Sequence, residues 1–296
     1  MQNTTFKAME KILVTGANGQ LGNEIKLLSK GFGNYDFLFA DIDELDLCDK
    51  EALSTFVCKN KPKWIINCAA YNAVDKAETD MESALKVNQQ AVKNIVFAIK
   101  GLDTKFIHVS TDYVFDGLKN VPYNENDEPN PTTAYGFSKR QGEIEALKHD
   151  KSMVIRTAWL YSSFGANFVK TIIKKGRETG LLKVVYDQVG TPTYARDLAK
   201  AILSIIDYDG CGKISFKPGI YHFSNEGLCS WYDFAVAIIE EAQIDCSVVP
   251  ILSSEYDYKT KRPAFSVLNK QKIKETYNIE IPYWRDSLKE CIKQLL

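Results

Sequence analysis

The stretch Lys11-Ile12-Leu13-Val14-Thr15, running into Gly16-Ala17-Asn18-Gly19-Gln20-Leu21-Gly22 and then the amphipathic Glu24-Ile25-Lys26-Leu27-Leu28, constrains this chain more than any other. A strand that passes through glycines into a helix aims the helix's first backbone N–H groups at one spot, and residues without Cβ let an anion approach them. A pyrophosphate fits such a loop, with Gly16, Gly19, Gln20, Leu21 and Gly22 around it. The spacing is Gly-x-x-Gly-x-x-Gly, a variant of the usual dinucleotide fingerprint and of moderate specificity alone. A second apolar strand, Phe37-Leu38-Phe39-Ala40, ends in Asp41, 22 residues after Gly19. That is close to the offset of roughly 20 at which an acidic residue meets adenosine ribose hydroxyls. Asp43, Asp46 and Asp49 crowd the same loop, so capping a turn is the competing role for Asp41.

Strand and helix signals keep alternating downstream, which predicts right-handed βαβ units and a parallel sheet covered on both faces. Helices are expected near residues 49–59 and 81–100 and around Tyr135, with strands at 63–69, 105–110 and 153–157. Lys183-Val184-Val185, a helix beginning near Arg196, and Gly219-Ile220-Tyr221-His222-Phe223 are expected to return to the same sheet, while helices near 231–242 and 284–295 belong to a smaller lobe. The fold class is therefore α/β, a doubly wound Rossmann-type sheet with a smaller mixed C-terminal lobe. Residues 1–8 form a flexible leader, 9–160 a dinucleotide-binding domain joined by parts of 182–225, and 161–181 with 226–296 a substrate-binding lobe.

Three residues suggest what the crevice does. Thr111 ends the strand Lys105-Phe106-Ile107-His108-Val109-Ser110, and Tyr135 and Lys139 lie four apart in Tyr135-Gly136-Phe137-Ser138-Lys139. Four apart is one helical turn on one face, where a lysine charge can lower a phenol's pKa and make it a proton donor to a carbonyl. The Thr111 hydroxyl can hold the same oxygen. A lone Tyr-x-x-x-Lys is usually an ordinary surface pair; the glycine loop and Thr111 make this one more than that.

These pieces resemble the extended short-chain dehydrogenase/reductase superfamily and, within it, the dTDP-4-dehydrorhamnose reductases, from about Met9 to the C-terminus. The more specific blocks are Ser110-Thr111-Asp112-Tyr113-Val114-Phe115-Asp116-Gly117, Arg156-Thr157-Ala158-Trp159-Leu160-Tyr161 and Asp187-Gln188-Val189-Gly190-Thr191-Pro192-Thr193. The resemblance implies Tyr135, Lys139 and Thr111 as catalytic residues, and NADH or NADPH as cofactor against Asp41, Asp46, Leu47, Ala69, Ala70, Tyr71 and Asn72. It implies a dTDP-sugar against Thr111, Asp112, Tyr113, Val114, Trp159, Gln188 and Arg262, the last in a basic segment with Lys259 and Lys261. It also implies Asn88 as a support of the catalytic lysine. Asp41 occupies the place of a 2′-phosphate, and no arginine or lysine in the loop compensates, so NADH is the expected preference. The reaction implied is reduction of a C4 ketone on a dTDP-linked 6-deoxy sugar. Nucleotide-sugar epimerases, dehydratases and a non-catalytic regulatory subunit of methionine adenosyltransferase share the scaffold and are the alternatives. Some relatives are thought to pair through magnesium held by glutamates; Glu24 matches one such position and Arg196 another. A guanidinium cannot ligate magnesium, so no metal is expected, and the state is a monomer or a homodimer joined by other surfaces.

Composition excludes other classes. With 37 basic and 38 acidic residues the net charge is −1, which leaves no electrostatic footprint for nucleic acid or an anionic membrane. No apolar run reaches the roughly 18 residues of a membrane span, and residues 1–8 are too polar for a signal peptide; a cytoplasmic location follows. The seven cysteines show no Cys-x-x-Cys pairing, against a zinc cluster or disulfide framework. His108, within an apolar strand, is expected as a packed side chain.

Overall fold

The structure is a computed structural model that describes residues 9–257 and 260–296. The expected leader at residues 1–8, and Lys259, lie outside the described residues. In the first half, β1 (Glu10–Thr15), β2 (Tyr35–Ala40), β3 (Trp64–Asn67), β4 (Lys105–Thr111) and β5 (Ser152–Thr157) alternate with α1 (Gln20–Leu28), α2 (Lys50–Asn60), α3 (Val74–Ala77), α4 (Met81–Leu85), α5 (Ala91–Ala98) and α6 (Ala134–Ala146). The second half contains β6 (Leu160–Tyr161), α7 (Phe168–Thr179), β7 (Leu181–Val185), β8 (Val189–Gly190), β9 (Thr193–Tyr194) and α8 (Ala195–Gly210). It continues through β10 (Gly219–His222), β11 (Cys229–Ser230), α9 (Trp231–Glu241), β12 (Ser247–Ile251), α10 (Gln271–Tyr277) and α11 (Trp284–Leu295).

Six strands form one sheet in the order β10-β5-β4-β3-β1-β2, every neighbouring pair parallel. Strand side chains alternate between faces, so Ile12, Val14, Ile66, Ile107, Met153 and Ile155 pack on one side with Leu198, Ile202 and Ile205 of α8. Leu13, Ile65, Phe106 and Val154 pack on the other with Leu53, Val57, Val92 and Ile95 of α2 and α5. Both faces are thus buried, as a parallel sheet requires. The chain turns to β2 on one side of β1 and to β3 on the other, so the strand order reverses there and leaves a crevice at the carboxyl ends.

Beside this sheet stands a second core. Val169, Ile172 and Ile173 of α7, Phe234 and Ile238 of α9, and Leu288 and Ile292 of α11 pack with Tyr161 and Tyr194. α8 and β10 join the main sheet as expected from sequence, but Lys183-Val184-Val185 does not. β7 pairs with β12 in a separate two-stranded parallel ribbon, in register Leu181 to Ser247 through Val185 to Ile251. An apolar strand wants a partner and a buried face without specifying which, and here β12 and α9 supply them. The expected helix at 81–100 is also modified: α4 and α5 are joined by a π-helical turn, Lys86–Gln90. No helix among the described residues is long and apolar enough to cross a membrane.

Candidate active site

A cleft of about 1100 Å³ opens at the carboxyl ends of β1, β3, β4 and β5 and reaches across to α7 and β7. The glycine loop forms one wall. Gly16 has φ +65°, and a Cβ there would lie 2.6 Å from the Ala69 nitrogen, so only glycine lets the loop after β1 touch the loop after β3. Gly22 packs against Gly16 and Ala17 in the same way. Gly19 is the N-cap of α1, and no side chain caps that helix. Its first turn therefore presents backbone donors toward the cleft, lined here by Gly19, Gln20 and Leu21, and these fit a dinucleotide pyrophosphate. Ala70 and Asn72 also line the cleft. Ala69 instead seats the Gly16 turn, and Tyr71 is held by its backbone, its N–H donating to Asn88 Oδ1 at 2.9 Å and its carbonyl accepting from Asn88 Nδ2 at 3.1 Å.

Asp41 sits at the end of β2, as the sequence places it. One carboxylate oxygen accepts the Asn18 N–H at 2.7 Å and the other the Ile42 N–H at 2.8 Å. It is thus tied to the phosphate loop itself. Asp46 accepts the Cys48 N–H at 2.8 Å, and the Leu47 side chain is packed in the sheet core.

Thr111, Asp112, Tyr113, Tyr135 and Lys139 meet in the cleft wall. Thr133 caps α6 through the Gly136 N–H at 3.0 Å, which brings Tyr135 into the first turn and Lys139 into the second. The Tyr135 phenol reaches Asn72 Oδ1 at 3.5 Å, and the nearby Thr111 hydroxyl favours its ionised form against the effect of burial. Tyr113 meets Tyr135 edge-on, with ring centroids 5.6 Å apart. The expectation that Lys139 depresses the Tyr135 pKa is overturned: burial pushes the phenol well above its usual range, with Asp112 adding to the rise. Lys139 gives its ammonium to the Val109 carbonyl at 2.7 Å, and burial brings it down to about 8 against the opposing pull of Glu143. Spacing along a helix shows proximity, whereas desolvation decides the pKa in so dry a place.

Sequence reasoning missed what fixes this wall. Arg156 of β5 and Glu143 of α6 form a bidentate pair, both bonds 2.8 Å and both side chains fully buried, anchoring the tyrosine-bearing helix to the sheet. Asn88 reaches not Lys139 but its neighbour: the π-helical turn aims its amide at the Ser138 hydroxyl, 2.9 Å away.

On the opposite wall, Trp159 has φ +47°, a conformation costly for a bulky residue. It is stacked on Trp231 at 3.5 Å and 10°. Gly190 permits this, since a Cβ there would stand 2.6 Å from the Trp159 ring. Trp231 is a cleft residue the sequence did not reveal. Gln188 lines the cleft, donating to Ser253 Oγ at 2.9 Å. Arg262 lines it as well, pairing both Asp75 carboxylate oxygens at 2.9 Å and reaching the Tyr113 hydroxyl at 3.4 Å. Val114 lies outside the cleft, fully buried in a cluster with Phe115, Tyr123, Ala158 and Leu268.

Away from the cleft, Glu24 is fully buried, and its two oxygens are taken by Arg196 Nε at 2.8 Å and Ser162 Oγ at 2.7 Å. The same guanidinium donates to Gln294 of α11.

A glycine-looped parallel sheet whose strand ends gather threonine, tyrosine and lysine in one cleft defines a Rossmann-type α/β protein with a candidate active site at its carboxyl edge. The chain belongs to the RmlD substrate binding domain family, whose model matches residues 9–296. It is 40% identical to a dTDP-4-dehydrorhamnose reductase of Aggregatibacter actinomycetemcomitans, over 95% of this chain and 98% of that protein. The crystal structure of a dTDP-4-dehydrorhamnose reductase from Clostridium acetobutylicum superposes with TM-score 0.90 at 42% identity, covering 96% of this chain and 99% of that one. Another, from Bacillus anthracis in complex with NADP, gives TM-score 0.91 at 34% identity over 97% and 99%.

Proposed function

We propose that this protein reduces the C4 ketone of dTDP-4-dehydrorhamnose with NADH or NADPH to give dTDP-L-rhamnose, a precursor of cell-surface polysaccharide. The observation that carries this reading is the joint placement of Thr111, Tyr135 and Lys139 in a cleft with an uncapped, glycine-bounded helix start on one side and the Trp159–Trp231 wall on the other. When bound, the nicotinamide supplies hydride to C4. Tyr135 gives its proton to the oxygen that becomes the C4 hydroxyl, and its raised pKa keeps that proton in place until negative charge develops. Thr111 donates to the same oxygen, and Lys139, partly charged near neutral pH, lies one turn away to stabilise the tyrosinate until water restores its proton. Residues 9–160 with α8 and β10 hold the cofactor; residues 161–181 and 226–296 hold the sugar. Trp159 offers the sugar an apolar face, and Arg262 the diphosphate a planar fork.

Asp41 favours NADH, since a 2′-phosphate would face its carboxylate. Glu24 is satisfied by Arg196 and Ser162, so a magnesium bridge through these positions does not form. Light scattering should return one mass, monomer or homodimer, with magnesium or with EDTA; dissociation by the chelator would refute this point. The reaction class is decided by adding the 4-keto sugar to enzyme and reduced cofactor. A reductase oxidises the cofactor stoichiometrically, an epimerase shows no net oxidation, and a binding-only subunit converts nothing.

A further inference from the structure

Asp112 follows β4 directly in the cleft wall and is only 2% exposed. Its Oδ1 accepts the Thr111 hydroxyl at 3.0 Å, and the nearby Ser266 favours the ionised form of the carboxyl. Its Oδ2 is buried without a partner among the described residues. The Thr111 oxygen is itself fixed, accepting the Tyr113 N–H at 3.2 Å. A hydroxyl carries one proton. Directed at Asp112, that proton is not available to the oxygen that Tyr135 protonates.

We propose that Asp112 is a positioning residue for the ketone reduction: ionised, it draws the Thr111 proton onto its Oδ1, and protonated, it donates to Thr111 and turns that hydroxyl toward the substrate oxygen. The inference rests on the reductase reading above. Burial raises the carboxyl to about 6, against the pull of its hydrogen bonds, so the two states exchange close to neutrality. The titratable and charged groups around it are Tyr113 on its own turn, Tyr135 and Lys139 on α6, and Arg262, which reaches the Tyr113 hydroxyl. Burial keeps both phenols in the neutral form through this range. The carboxyl is therefore the group that changes charge as pH passes about 6.

The test is kcat/KM for the 4-keto sugar at saturating cofactor, from about pH 5 to about pH 7, below the pH of about 8 at which Lys139 loses its charge, and it reports groups of the enzyme before sugar binds. The wild type should lose roughly tenfold in activity between about pH 5 and about pH 7, on the way to the loss of about a hundredfold that one donor to a developing oxyanion is worth. Asp112→Asn cannot titrate, so its profile should be flat through this range. Thr111→Val should be slower throughout and equally flat, because no hydroxyl remains to be redirected. A fall with pH that survives in Asp112→Asn, or in Thr111→Val, overturns the inference; the latter result would mean that Asp112 acts on the sugar directly. A wild type that is active with a flat profile also overturns it. A wild type that oxidises no cofactor at any pH refutes the reductase reading and this inference with it. Cofactor binding by each variant verifies folding, and if Asp112→Asn does not fold, the Thr111→Val profile decides.

Discussion

The two walls of the cleft are built in different ways. The wall proposed to hold the cofactor comes from consecutive βα units: β1 leads to the glycine loop and α1, and β4 leads to Thr111, with each strand pinned by parallel neighbours. The wall proposed to hold the sugar comes from short ribbons of two to five residues and from single bridges, Tyr123 to Leu268 and Val189 to Phe265, between segments far apart in the chain. Aromatic stacking and ion pairs do there what strand pairing does on the other side. Under the proposed assignment, the sheet sets the geometry of the cofactor, whereas that of the sugar depends on a few individual contacts, each of which a single substitution can remove.

Tyr135→Phe sits where the walls meet and should have the largest effect. It keeps the ring and removes the proton, so kcat should fall roughly 10² to 10⁴-fold, with cofactor affinity measured by fluorescence titration nearly unchanged. Arg196→Ala should come next, acting on stability. It leaves Glu24 buried with only Ser162, at roughly 2–3 kcal/mol after allowance for the partly exposed guanidinium; urea unfolding checks this. Gly190→Ala tests the fragility of the sugar wall. The new methyl must displace the Trp159 ring, and the strain of an overpacked site predicts a rise in sugar KM of about tenfold, with cofactor KM unmoved. If both constants rise together, the walls are not independent. The smallest effect is cofactor choice: kcat/KM should favour NADH severalfold, and Asp41→Ala should narrow the ratio, although it also frees the Asn18 N–H.

The cofactor wall was largely legible in the sequence because its signals are local. A strand, a glycine loop and a helix are read from adjacent residues, and Tyr135 with Lys139 from one helical turn. The sugar wall was legible only in parts. Trp159, Gln188 and Arg262 were found through resemblance to a family, while Trp231, 72 residues after Trp159, carries no local mark of the stack it makes. Glu143 and Arg156 are 13 apart on different elements, and nothing in their spacing announces a buried pair. The partner of β7 was misassigned because an apolar run does not name its neighbour. The direction of the Tyr135 shift was misread because burial, invisible in one dimension, outweighs the nearby lysine.

Direct hydride transfer between two ligands held in one crevice is tested most sharply with reduced cofactor carrying deuterium in the transferred position. Incubated with dTDP-4-dehydrorhamnose in ordinary water, the protein should yield dTDP-L-rhamnose with one deuterium at C4 for each cofactor oxidised. Hydrogen at C4 drawn from solvent, or conversion of the sugar without oxidation of the cofactor, would contradict it.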